Sequence, residues 1–182
     1  MSIFYNGTDV GTTKYGIASS AKIKESNHIY DLVDTVNDVQ NNANVKVGDY
    51  TGNGLQERTA VTAGNKDKIV FVCSPALITD TSTSERQQEY NFINKKGIDF
   101  KAYELGVDDV IGISEYSIAA INTGTKKVVE GNYIVTDGAR GWKELASASA
   151  ASYGFIGKII GFQTQSFQTI VLVSTVQNTT VA

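Results

Sequence analysis

With 182 residues, 41% apolar and 19% charged, the chain has the composition of one globular domain rather than of a disordered segment. A formal net charge of −3, with no Lys/Arg block interleaved with aromatics, argues against nucleic acid as a partner. The single cysteine, Cys73, excludes an internal disulfide and a multi-cysteine metal cluster, and no apolar run approaches the roughly 20 residues that cross a bilayer.

One proline stands beside 17 glycines, so turns are left to Gly, Asn and Asp. Short alternating runs between such turns predict a mainly β (β-rich α+β) fold. The expectation is a compact β-barrel or sandwich-like domain with one or two short helices and an N-terminal arm. Residues 1–35 form the predicted arm or irregular segment and residues 36–182 the β-rich body. The first stretch is rich in Gly, Thr and Ser, with Ile3, Phe4, Tyr5, Tyr15 and Ile17 at no regular spacing. That composition suits an arm ordered by lying on another surface, and equally an irregular segment packed on its own domain. Met1 is followed by neither a basic nor an apolar leader pattern, so no signal peptide is expected.

Ile29, Leu32, Val33 and Val36 are spaced for one short helix within residues 27–39, against the Asp and Asn content there. Val45 and Val47 alternate as a strand, and Asn53-Gly54 is a tight-turn dipeptide. Arg58–Ala63 and Lys68–Cys73 follow as strands around Ala63-Gly64-Asn65. The second, a continuous apolar run, predicts burial on both faces. A helix is expected from Ser84, with Gln87 completing a capping box, Lys95 and Lys96 at its negative end and Gly97 closing it. Tyr90 and Ile93 would face the core.

Alternation of Ile98, Phe100 and Ala102 gives the next strand, residues 109–113 another, and Ser114-Glu-Tyr-Ser-Ile a helical turn. From Val128 to Val176 the pattern is a hairpin around Asp137-Gly138 and then closing strands, with an Ala/Ser stretch between them that fits a loop or a closely packed strand.

Candidate chemistry is sparse. His28 is the only histidine and has no Cys or carboxylate at ligand spacing. Asp80–Glu85 lacks the Gly and the distant Glu of a calcium loop. Asp31, Asp34 and Asp38, and the pair Asp108-Asp109, are carboxylate groups of the kind a glycosidase uses, and also of the kind any solvated surface carries. No catalytic residue, metal site or cofactor is predicted, and the chain reads as a non-enzyme. Most aromatics suit a barrel core. Arg140 and Trp142, near the hairpin tip, are the candidate exposed anchors for a partner, with Phe4, Tyr5 and Tyr15 in the arm.

The order of pieces carries a resemblance. Val-Lys-Val-Gly-Asp (residues 45–49) leads to an apolar strand ending Ser74-Pro-Ala-Leu77, and then to Tyr90-Asn-Phe-Ile93 and Gly97. Tyr103-Glu-Leu105 and Ser114-Glu115 follow, then Val129-Glu-Gly-Asn-Tyr133 and Phe155-Ile-Gly-Lys-Ile-Ile-Gly-Phe162. From about Val45 to Val176 this series resembles tailed-phage virion proteins that decorate or cement the head shell. The resemblance implies a non-enzymatic structural protein on the virion exterior, made in the bacterial host cytoplasm. Its partners would be the major capsid protein of an HK97-type head and further copies of itself on the lattice. A carbohydrate-binding β module of a phage fibre or adhesin, built on Trp142, Tyr133 and the Asn/Asp loops, is the alternative.

Overall fold

The computed structural model describes residues 18–22, 28–53, 56–74, 93–122, 127–165 and 168–182. The strands among them are β1 (Ala18–Lys22), β2 (Ile29–Val33), β3 (Val39–Gln40), β4 (Asn44–Tyr50), β5 (Arg58–Val61), β6 (Val70–Val72) and β7 (Ile93–Asn94). Then come β8 (Asp99–Glu104), β9 (Val110–Ser114), β10 (Ile118–Ala119), β11 (Tyr133–Thr136), β12 (Trp142–Leu145), β13 (Phe155–Gln165) and β14 (Gln168–Asn178). The fold is mainly β, as its turn chemistry predicts. Five strands close a barrel in the order β2-β5-β4-β6-β8, seven form a sheet in the order β1-β9-β14-β13-β11-β12-β10, and β3 pairs with β7.

Two apolar cores follow from strand parity. Leu32, Val45, Val70, Val72, Phe100 and Ala102 point into the barrel. Phe71, between Val70 and Val72, points the other way into a second core with Ile111, Ile134, Trp142, Phe155 and Val173 of the sheet. This is why β6 reads as an unbroken apolar run: it serves both cores. Each fully buried Val, Leu or Phe contributes about 1.5–3 kcal/mol, so the seam between the layers is a large share of the stability. Gly157 lets β13 approach β14, since a Cβ there would collide with Val173 Cγ1.

Three expectations need correction. The helix placed within residues 27–39 is instead β2, which pairs antiparallel with β8 and parallel with β5 and so closes the barrel. Pairing on both sides outweighs a helical spacing that the Asp and Asn residues already weaken. The arm therefore does not extend to residue 35, because Ile29–Val33 belongs to the barrel and Ala18–Lys22 is an edge strand on β9. The helix expected from Ser84 lies outside the described residues up to Phe92, but its last turn is not helical: Ile93–Asn94 is a strand. Gly97 does take positive φ (75°), in the turn from β7 to β8. The helical turn after Ser114 is a 3-10 turn, Glu115–Ser117, and the Ala/Ser stretch is a loop.

Candidate functional site

One set of polar groups among the described residues gathers where the barrel meets the sheet. The sequence Gln40-Asn-Asn-Ala-Asn44 lies there, running from the end of β3 into the start of β4. Asn41 Nδ2 donates to the Ser74 carbonyl while Ser74 N–H donates back to Asn41 Oδ1. Asn94 Nδ2 donates to the Val39 carbonyl and to Asn41 Oδ1. Asn42, at φ 69°, donates to Ser117 Oγ, and its carbonyl accepts the indole N–H of Trp142 at 2.6 Å. Positive φ is a conformation that Asn tolerates better than most residues. Buried amides of this kind must be paired or they cost free energy. Asn41 and Asn94 brace the chain around β3 and β7, and Asn42, through Ser117 and Trp142, ties it to the sheet.

Arg140 reaches across the same joint. Asp137 Oδ1 accepts the N–H groups of Ala139 and Gly141 at 2.7 and 2.8 Å, folding the β11–β12 tip and leaving Arg140 at φ 72°. From there its guanidinium pairs with Asp34 after β2 and donates from Nε to Thr62 Oγ1 after β5. Asp34 is 4% exposed and also accepts the N–H groups of Val36 and Asn37, each at 2.8 Å. Burial pushes its carboxyl upward, but these N–H groups and Arg140 outweigh it and hold the pKa below the ordinary aspartate value. Beside the pair lies a cleft of about 340 Å³ lined by Asp38, Gln40, Asn42, Tyr116, Ser117 and Arg140. Asp38 takes the Lys96 N–H and the Lys95 amine, which keep its carboxyl low.

Two further clusters stand apart. At the barrel, Glu104 accepts the Tyr30 hydroxyl at 3.1 Å and pairs with Lys68. Burial raises Glu104, but Lys68 and the Tyr30 hydroxyl lower it further, while burial and Glu104 push Tyr30 up. In the sheet, Glu144 is buried yet accepts three hydrogen bonds, from Ile121 N–H, Val129 N–H and Asn132 Nδ2. It thereby anchors both ends of the segment leading from β10 to β11.

Phe4, Tyr5 and Tyr15 lie outside the described residues. Trp142 is not an exposed anchor. It is 1% exposed and packs on Phe71 and Phe155, with ring centroids 6.3 and 5.3 Å away. Its nearness to a turn misleads, because the strand begins at Trp142 itself and faces it inward. Arg140 is next to it in the hairpin but is mostly buried, with a side chain 17% exposed. Trp142 pairs with Thr136, three residues from Tyr133, so Tyr133 lies on the opposite face of the sheet and the two rings form no common platform.

The acidic groups do not converge either. Asp31 pairs with Lys101, Asp34 with Arg140 and Asp38 with Lys95. Asp109 is buried and accepts the Gly106 N–H, while Asp108 sits in the turn at φ 68°. Among the described residues no three His, Cys, Asp or Glu side chains gather as metal ligands, and no helix is long and apolar enough to cross a membrane. His28 is exposed, with its ring 5.0 Å from that of Tyr30. The arrangement can hold two β layers together: the Arg140–Asp34 pair ties the sheet to the barrel, while Lys46–Asp67, Lys68–Glu104 and Lys101–Asp31 brace the barrel side itself. The asparagine joint and Glu144 went unread in the sequence. The only signal was a dense run of Asn outside a turn dipeptide, and a Glu in step with Trp142.

These features define a β-rich protein in which a closed barrel is joined to a second sheet through a shared apolar core flanked by polar ties. Compared with known protein families, curated proteins and solved structures, the chain matches none.

Proposed function

We propose that the protein is a structural component of a phage head, binding the outer surface of an HK97-type capsid and stabilising it without catalysis. The reading starts from the resemblance over Val45–Val176. The observation that carries it furthest is the use made of the polar side chains: Asp31, Asp34, Asp38, Asp67 and Glu104 are each paired with a Lys or Arg. A rigid β body of this kind suits a role in which many copies each make modest contacts, summed by lattice repetition. The capsid's major shell protein is the proposed partner, with the N-terminal residues ahead of β1 contributing contacts. The carbohydrate-binding alternative loses its aromatic platform, since Trp142 is in the core and Tyr133 lies on the other face of the sheet, and keeps only the Asn/Asp loops.

Co-sedimentation tests the proposal. Purified protein is mixed with mature heads lacking decoration and pelleted across a range of salt. Saturable co-pelleting is expected, and its absence at every ionic strength would refute the reading.

A further inference from the structure

Among the described residues, β13 is paired along only part of one side. β11 reaches Gly157 and Lys158, and the last contacts are Ile159 N–H to the Asn132 carbonyl and Gly131 N–H to the Ile159 carbonyl. A bulge at Ile160 follows, and from Ile160 to Gln165 no strand among the described residues covers that edge. Ile160 and Phe162 are 45% and 43% exposed there. From Ile159 to Ala182 the sequence has no Asp, Glu, Lys, Arg or Pro.

Soluble β proteins blunt open edges with charge, proline, brevity or bulges. The other edges of this sheet do so: β10 has only two residues, and β1 carries a bulge and ends on Lys22. The distal β13 edge has its bulge only at the start and nothing beyond it.

We infer that Ile160–Gln165 is a self-association edge, which pairs antiparallel with the same strand of a second copy. Such a contact is isologous: each strand meets its own sequence reversed, so every residue type must tolerate its mirror position. An uncharged strand meets this condition, because no like charges face each other across the twofold axis. It also offers nothing to select an oppositely charged partner. The rest of the chain carries the net charge of −3, so this uncharged ribbon is where two copies approach at least electrostatic cost. Pairing over Ile160–Gln165 buries less than the roughly 1,200 Å² of a standard stable interface. The dimer is therefore weak and reversible. The inference goes beyond the capsid reading and does not depend on it.

Sedimentation equilibrium of the full chain, up to about 1 mM, read together with amide hydrogen exchange, tests it. A monomer–dimer equilibrium is expected, with protection of the amides in residues 160–165 that grows with concentration. Ile160→Lys and Phe162→Lys should each weaken association by about tenfold or more, since each puts a hydrated charge on the pairing edge of both copies. Val176→Lys, an exposed site near the other end of the hairpin, should leave it unchanged. A monomer at every concentration, protection confined to another surface, or lysine variants that associate like the parent would each overturn the inference. Protection of residues 160–165 seen only when phage heads are added would likewise overturn self-pairing and assign the edge to a shell protein.

Discussion

Replacing Asp34 by Ala tests whether the seam between barrel and sheet rests on the Arg140 ion pair. The substitution removes the carboxylate facing a guanidinium that is 17% exposed, together with the acceptor for the Val36 and Asn37 N–H groups. Breaking one side of a buried pair costs about 3–5 kcal/mol, because the remaining charge stays desolvated. Residual exposure of Arg140 places the expected loss near the lower end, at about 3 kcal/mol. Asp34→Asn keeps an oxygen for the two N–H groups and should lose less, about 2 kcal/mol. Removing both partners, Asp34→Ala with Arg140→Ala, should cost less than the sum of the singles, with a coupling of about 0.5–3 kcal/mol. Urea unfolding followed by fluorescence suits the measurement, because Trp142 is the only tryptophan and sits in the core two residues from Arg140. At about 2–4 °C per kcal/mol for a chain of this size, Asp34→Ala should lower Tm by roughly 6–12 °C. A loss below about 1 kcal/mol, or strictly additive singles, would refute the assignment of the pair as a structural tie.

Acid stability should follow the same carboxylates. Asp34, Asp67 and Glu104 are all held below their unfolded values of 3.8, 3.8 and 4.5, so their contribution is present above those values and is lost as pH falls through the lower folded ones. Stability measured from pH 6 downward should fall below about pH 4.5, and Asp34→Asn should flatten that limb. Glu144→Gln should destabilise by about 1–3 kcal/mol in the same urea assay, because an amide supplies one acceptor oxygen where the carboxylate serves three donors from both of its own. Deleting residues 2–17 spares β1 and should leave the urea midpoint unchanged while weakening binding to phage heads, whereas deleting residues 2–26 uncovers the β9 edge and should also reduce stability.

Much of the β architecture is legible in the sequence, because alternation and Gly/Asn/Asp turns act locally. β4, β8 and β11 show this, and the double-sided burial of β6 is visible in Lys68–Cys73. What escapes is decided at a distance. Ile29, Leu32, Val33 and Val36 fit a helix face as well as Ile29–Val33 fits a strand, and only closure against β5 and β8 decides between them. Trp142 is hard to place because its strand puts a carboxylate, Glu144, on the same inward face, which spoils the apolar-polar alternation. The asparagines at 41, 42 and 44 look like turn formers. Their side-chain amides instead bond to the Ser74 backbone just after β6, the Ser117 hydroxyl and the Gly141 carbonyl just before β12, and no sequence window contains both partners.

The proposed place of the protein on a phage head is tested most directly by its abundance in purified virions. Quantitative mass spectrometry of gradient-purified particles is expected to find it at a copy number comparable to that of the major shell protein. Its absence, or a handful of copies per particle, would contradict a protein that coats the lattice.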